Sequence, residues 1–328
     1  MSARPASGTV VISDCDHGTI GPERAVLDGH DVRLRLAHCR TAADVVAQAA
    51  DADVLINQYA PVTGEVFDGL PGCRLVVRYG VGVDNVDVAA ATARGVWVAN
   101  VPDYGREEVA DHAVAMAMAF LRGVDTLDRS VKAGRWDYQV ARPLRRLRTL
   151  TFGVVGCGAI GTLAGRRAAG LGMRVVGTDI EDDRPPPAEP IQPVTLQELL
   201  ATADVVSLHA TLTPASHHLI GAAELAAMKP SAYLVNTARG GLVDGAALLA
   251  ALDAGTLAGA GLDVLEVEPP DQAGRALVAH PRVVATPHAA WYSEEAFVTL
   301  KSEVAREALR VLGGQPPRSP VNHPERLR

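Results

Sequence analysis

No run of apolar residues in this sequence approaches the roughly 18 needed to span a bilayer. The opening Met1-Ser2-Ala3-Arg4-Pro5 lacks the apolar core of a signal peptide. Neither a membrane partner nor a secretory route is therefore expected. The four cysteines, Cys15, Cys39, Cys73 and Cys157, show no Cys-x-x-Cys spacing. That spacing argues against a disulfide framework and against a zinc site, so no metal is expected and a cytoplasmic setting is. Basic residues are not in excess: the formal net charge is −7, which argues against nucleic acid as a partner. No internal repeat is visible. What remains is a chain of 328 residues, 48% hydrophobic and 21% charged, a globular composition long enough for two domains of about 100–200 residues.

Short β-branched runs alternate with helical stretches along the chain. Thr9–Ser13, Val54–Asn57, Leu75–Arg78 and Val96–Ala99 read as strands, and Thr41–Ala50 reads as a helix capped by Thr41. Glu107–Arg122 is the longest uninterrupted helical pattern, followed by a helix through Val124–Ala133 and a basic connection at Arg142–Arg148. A second series then opens, with strands at Thr151–Val155, Arg174–Thr178, Val205–Leu208, Ala232–Asn236, Gly259–Asp263 and Val283–Ala285. A C-terminal helix covers Glu294–Leu312. Pro185–Pro187 and Pro190 mark a surface loop, because consecutive prolines continue neither a helix nor a central strand. Alternating strands and helices imply parallel sheets covered on both faces.

The sharpest local pattern is Gly156-Cys157-Gly158-Ala159-Ile160-Gly161, entered from the apolar strand Thr151–Val155. Gly156 permits a tight turn, Gly158 lets the backbone approach a pyrophosphate, and Gly161 lets helix pack on strand. The following helix start offers free N–H groups and a positive dipole end. Glycine turns are common, so the pattern alone is weak. The next strand, however, ends at Asp179, and 179 − 161 = 18 residues approaches the spacing of about 20 expected for a carboxylate that meets the adenosine ribose. A carboxylate there disfavours a 2′-phosphate, so NAD is expected over NADP.

Three later strands end in polar residues. Asn236-Thr237-Ala238-Arg239 closes one, Asp263 another and Thr286-Pro287-His288 a third, with Glu268 in the loop after Asp263. In an open parallel sheet the carboxyl ends of the strands face the ligand. Reducing a 2-keto acid needs a proton donor titrating near neutrality and a cation for the carboxylate. Histidine beside a carboxylate suits the first need and arginine the second. Each residue type also has a structural reading, as a cap, a surface group or an ion pair.

The run Val235–Asp244, the segment Gly259–Val264 leading to Glu268-Pro269, and Thr286-Pro287-His288 together resemble the signatures of the D-isomer-specific 2-hydroxyacid dehydrogenases. The likeness extends from about Leu75 to Asn322. It implies Arg239 as substrate anchor, Glu268 as the partner tuning the histidine and His288 as acid/base. It further implies Thr237, Ala238 and Asp263 on the nicotinamide side of the cofactor. His209, Ala210 and Thr211 join Gly156, Gly158, Ala159, Ile160, Gly161 and Asp179 as cofactor-binding candidates. The resemblance also assigns the substrate carboxylate to the glycine loop Arg78-Tyr79-Gly80-Val81-Gly82, although glycines needed only for turn geometry are the alternative there. Within the family, Thr286–Glu294 and His217-His218-Leu219-Ile220 are most similar to the C-terminal-binding-protein branch. Thr211 departs from that family pattern, standing where much of the wider family has proline, and Cys157 occupies a variable position.

The fold expected is therefore α/β, with two Rossmann-like doubly wound domains and a cleft between them. Residues 1–100 and 290–328 would form a discontinuous substrate domain and residues 101–289 the NAD domain. The resemblance adds a homodimer built on the Glu107–Ala133 helices. The activity expected is NAD-dependent interconversion of a 2-keto acid and a D-2-hydroxy acid. Trp291, three residues after His288, suggests an apolar substrate side chain. The rival reading is an NAD(H)-responsive, corepressor-like binding protein; formate or phosphite oxidation ranks below both. His112 and Asp111 read as structural, and Trp97 as core.

Overall fold

Val10, Val11 and Ile12 are fully buried, as a parallel strand covered by helices on both faces requires. They belong to β1 (Ser7–Ile12), the hub of the first of two compact units in the computed structural model, which describes residues 6–179 and 187–327. That unit comprises Met1–Gly105 and Ser293–Arg328, and the second comprises Arg106–Tyr292. Both boundaries lie a few residues beyond those the sequence suggests.

The first unit runs β1, α1 (Gly21–Leu27), β2 (Asp31–Leu36), α2 (Ala42–Ala49), β3 (Val54–Asn57), α3 (Gly64–Gly69), β4 (Leu75–Arg78), α4 (Val88–Ala93) and β5 (Trp97–Ala99). Its five strands are all parallel, in the order β2-β1-β3-β4-β5. Thr41 caps α2 in a capping box with Asp44, as its sequence position predicts. β2, which is not among the strands expected from the sequence, alternates polar and apolar residues as an edge strand does, with Arg33 and Arg35 reaching Asp51 rather than a core. Trp97 is only partly buried, on the opposite edge strand, with its ring edge-on to His323.

The second unit contains α5 (Arg106–Leu121), α6 (Val124–Lys132), β6 (Thr151–Val155), α7 (Ala159–Gly170), β7 (Arg174–Thr178), β8 (Gln192–Pro193), α8 (Leu196–Thr202), β9 (Val205–Leu208), α9 (Ala222–Ala227), β10 (Tyr233–Asn236), α10 (Gly245–Asp253), β11 (Gly259–Leu262), α11 (Gln272–Val278) and β12 (Val283–Ala285). The chain then returns to the first unit as α12 (Glu294–Leu312). The seven parallel strands follow the order β12-β11-β10-β9-β6-β7-β8. Strand order reverses between β6 and β9, and in doubly wound sheets ligands bind outside the carboxyl ends at such a point. β8 is too short and too proline-bound to register as a strand pattern. Pro185 and Pro186 of the expected proline loop lie outside the described residues.

Two apolar layers enclose this sheet. One includes Leu199, Leu225, Leu234 and Leu248; the other sets Ala113, Met116 and Ala117 of α5 against Phe152 and Ala164. Asp111 pairs with Arg167 of α7, together with Glu107, so its role is to tie α5 to α7. Among the described residues no helix is long and apolar enough to cross a membrane.

Candidate active site

The glycine turn after β6 lies at the strand-order reversal. Gly156 has φ of +93°, and a Cβ there would lie 2.5 Å from the backbone nitrogen of Ala210, just past β9. A Cβ on Gly161 would lie 2.0 Å from the carbonyl oxygen of Gly156. No other residue fits either place without moving backbone. Gly158 is the N-cap of α7 and supplies no side chain to the helix start, so the first-turn N–H groups at Ala159, Ile160 and Gly161 are left for an anion. Asp179, directly after β7, accepts a hydrogen bond from the Cys157 N–H at 3.1 Å. Burial, followed by the Asp179 charge, pushes the Cys157 thiol up to about 12 and keeps it protonated.

On the β9 side, His209 shares a 2.9 Å hydrogen bond with Ser207, and burial lowers its pKa to about 4. A neutral ring results. The following turn is organised by Ser216, whose hydroxyl donates to the Thr211 carbonyl at 2.7 Å. Ala210 and Thr211 thus present an ordered backbone.

The ends of β10, β11 and β12 are cross-braced. Asn236, 1% exposed, donates to the Arg239 carbonyl at 2.8 Å and accepts from the Ala238 N–H at 3.0 Å, fixing the turn that carries Thr237 and Arg239. The Thr237 hydroxyl is buried without a hydrogen-bond partner among the described residues. Asp263 is 2% exposed and accepts from the N–H groups of Ala289 and Ala290, at 2.9 and 3.0 Å, and from the Thr286 hydroxyl. The His288 N–H donates to the Asp263 carbonyl at 2.8 Å. These bonds hold His288 at φ of +53°, a left-handed conformation uncommon outside glycine. Its Nδ1 lies 2.6 Å from a Glu268 carboxylate oxygen. Burial alone would raise the Glu268 pKa. Hydrogen bonds from His288 and the Leu265 N–H, with the nearby Arg239 charge, outweigh it and hold the carboxyl below its usual range.

The strand-end residues His288, Glu268, Arg239 and Asp263 therefore do assemble. Two residues that the sequence marks only as a strand end and a structural histidine join them. Thr286 bridges Asp263 and the His112 imidazole, whose Nε2 is 3.0 Å from the Thr286 hydroxyl. His112 thus supports the base of the His288 turn, although 174 positions separate it from Thr286. Trp291 is half-buried and stands edge-on to Tyr292 at 5.7 Å.

In the first unit, the loop after β4 has its own logic. Gly80 has φ of +132°, and a Cβ there would meet the Arg78 guanidinium at 2.0 Å. The guanidinium therefore lies across the glycine backbone. The Tyr79 side chain departs from the expected substrate contact: its ring is buried and its hydroxyl donates to Glu23, leaving only its backbone to serve the loop. Val81 is 43% exposed and Gly82 only partly buried.

A glycine-shaped turn at the strand-order reversal, a carboxylate after β7 and a histidine–glutamate pair past the ends of β11 and β12 together define the nucleotide half of a nicotinamide-dependent dehydrogenase. The family described as D-isomer specific 2-hydroxyacid dehydrogenase, NAD binding domain, matches residues 114–290. The chain is 41% identical over 287 residues to the glyoxylate reductase of Korarchaeum cryptofilum, covering 85% of each. It is 36% identical over 286 residues to the glycerate dehydrogenase of Methylorubrum extorquens, covering 84% of this chain and 88% of that one. The D-lactate dehydrogenase of Aquifex aeolicus, solved with NAD and lactic acid, superposes with a TM-score of 0.84 at 26% identity, over 93% of this chain and 96% of that one. The chain belongs to the D-isomer-specific 2-hydroxyacid dehydrogenases, and its cofactor is NAD.

Proposed function

We propose that the protein uses NADH to reduce a small polar 2-oxo acid to the D-2-hydroxy acid. The observation that carries this reading is the 2.6 Å His288–Glu268 pair beside Arg239, braced from below by Asp263. NADH supplies the hydride. With Nδ1 bound to Glu268, Nε2 is the His288 nitrogen left to hand a proton to the developing alkoxide oxygen. Arg239 grips the substrate carboxylate through paired hydrogen bonds, which orients the keto carbon. Within the first unit, the Arg78 guanidinium over Gly80 is the anion-receiving element of the loop after β4. Thr237 and Ala238 serve the nicotinamide end of the cofactor, and the Gly156–Gly161 turn its pyrophosphate.

Glyoxylate and glycerate name the substrates of the two relatives above, which favours a small polar acid. The apolar acid suggested by Trp291 is the weaker candidate. In a panel followed by NADH absorbance, glyoxylate or hydroxypyruvate should give the highest kcat/KM, ahead of 4-methylthio-2-oxobutyrate and phenylpyruvate. NADH should outperform NADPH by at least ~10-fold, because a 2′-phosphate beside Asp179 costs more than ~1.4 kcal/mol. Asp179→Ala should narrow that gap. Equal use of both cofactors by the wild type defeats the role given to Asp179, and preference for apolar acids defeats the substrate class.

The second unit also exposes Val124 and Val131 on α6, and Trp136 and Tyr138 after it, with Trp136 91% exposed. Such an apolar surface fits burial against a second copy, the homodimer expected from the sequence. Analytical ultracentrifugation should show a dimer that Trp136→Glu with Val131→Glu dissociates; a wild-type monomer rejects it. The corepressor-like reading rests only on motif likeness at Thr286–Glu294 and His217-His218-Leu219-Ile220. The four thiols are free, which fits the cytoplasmic setting expected.

A further inference from the structure

The second unit carries a histidine pair that the reaction does not use. His217 and His218 are adjacent in sequence, and adjacent side chains in an extended chain point apart. Here the imidazoles lie together, with ring centroids 4.0 Å apart and planes 27° from parallel. The cause is His218, held at φ of +53°. A histidine in the left-handed region carries strain that the surrounding structure must sustain. It is sustained by the His218 N–H donating to the Gly241 carbonyl at 2.8 Å and the Ile220 N–H to the Leu242 carbonyl at 3.0 Å.

Glu266 completes the cluster from another segment. Its carboxylate meets His218 Nε2, and one ligand atom from each of His217, His218 and Glu266 lies within 4.8 Å of the others. The loop carrying Glu266 is fixed to the same turn as the histidines, for a Cβ on Gly240 would overlap the Leu265 carbonyl carbon at 1.9 Å. Both loops are therefore set by residues 240–242, and the three side chains are placed by backbone rather than by chance surface encounter. The side chains stay within reach of solvent, His218 at 37% and Glu266 at 41% exposure, so an ion has a path in.

We propose that His217, His218 and Glu266 form a binding site for a divalent transition-metal ion, with zinc the best match. Two imidazole nitrogens and one carboxylate oxygen suit Zn²⁺, whose bonds of about 2.0–2.2 Å require ligand atoms roughly 3 Å apart. Small rotations of accessible side chains supply that spacing. Mg²⁺ and Ca²⁺ prefer shells of oxygen and are poorly served here. Solvent takes the remaining coordination positions. Nothing in this assignment depends on the hydride-transfer reading, since none of the three residues is given a part in it.

The test is calorimetric titration of the chelator-stripped full-length protein with zinc chloride. One ion per chain is expected, undisturbed by excess Mg²⁺, with a rise in Tm. Glu266→Gln and His218→Asn should each weaken binding at least 10-fold; asparagine tolerates the left-handed backbone while removing the imidazole. His217→Ala, which leaves that backbone untouched, should also abolish the zinc-induced rise in Tm. Absence of zinc uptake by the wild type overturns the site. So does binding whose affinity and Tm response survive in His217→Ala and Glu266→Gln, for the ion then sits elsewhere.

Discussion

His288→Asn should lower the turnover of 2-oxo acid reduction by about 10²- to 10⁴-fold, while NADH binding measured by fluorescence stays close to wild type. Asparagine is the appropriate replacement because position 288 has φ of +53°, which asparagine adopts more readily than alanine. The Asp263 bonds to Ala289 and Ala290 use backbone N–H groups and survive the change. A loss of turnover then reports the missing proton donor rather than a collapsed turn. Near-normal turnover in this variant would remove the mechanism proposed.

Glu268→Gln separates proton supply from placement. Glu268 is held below the usual carboxylate range, so it is anionic throughout the interval in which a histidine titrates. An anion at 2.6 Å stabilises the imidazolium that donates the proton. Glutamine preserves the shape and removes the charge. Turnover of 2-oxo acid reduction should then fall by about 10²- to 10³-fold, while NADH binding stays close to wild type. Wild-type turnover in Glu268→Gln would show that the pair serves geometry alone.

Local constraints explain what could be read from the sequence. β6, Gly156, Gly158, Gly161 and Asp179 are legible because strand, turn and helix follow one another without interruption, and each glycine answers a contact within its own neighbourhood. Arg239, Asp263 and His288 are legible as strand-end residues, but their roles came from resemblance, and no spacing rule predicts that Asp263 braces the backbone behind His288. His112 shows the limit most plainly. Its partner Thr286 comes from a strand end far along the chain, and a histidine in an alanine- and methionine-rich helix carries no local mark of that contact. β2 is a different case: it carries the polar–apolar alternation of a strand half-exposed at a sheet edge, not the continuous apolar run that marks the buried strands beside it. The Tyr79 contact is not legible because a buried acid on α1, 56 positions earlier, claims its hydroxyl.

That acid, Glu23, is the source of the largest stability effect expected. Its side chain and that of Lys301 on α12 are both 0% exposed, and Nζ lies 2.7 Å from the carboxylate. The ammonium also sits 5.0 Å from the Tyr79 ring centroid and 5.4 Å from that of Phe297, a cation over two aromatic faces. His17, whose pKa is lowered to about 4 by burial first and by Lys301 second, stays neutral and places Nδ1 3.5 Å from the ammonium. Every neighbour is thus arranged around one positive charge. Lys301→Met keeps the bulk and deletes the charge, stranding a buried carboxylate whose second oxygen already lacks a hydrogen-bond partner among the described residues. Removing one member of such a pair costs about 3–5 kcal/mol, whereas replacing both by apolar groups of similar volume is often neutral. Melting of a two-unit chain is not a two-state measurement, so the reading should come from hydrogen exchange of the β1 and β4 amides. Protection there should fall by about 10²- to 10³-fold in Lys301→Met, since every 1.4 kcal/mol is tenfold. It should return toward wild type in Glu23→Leu/Lys301→Met. Equal protection in the single variant and wild type would show that the ion pair between α12 and α1 does not stabilise the first unit.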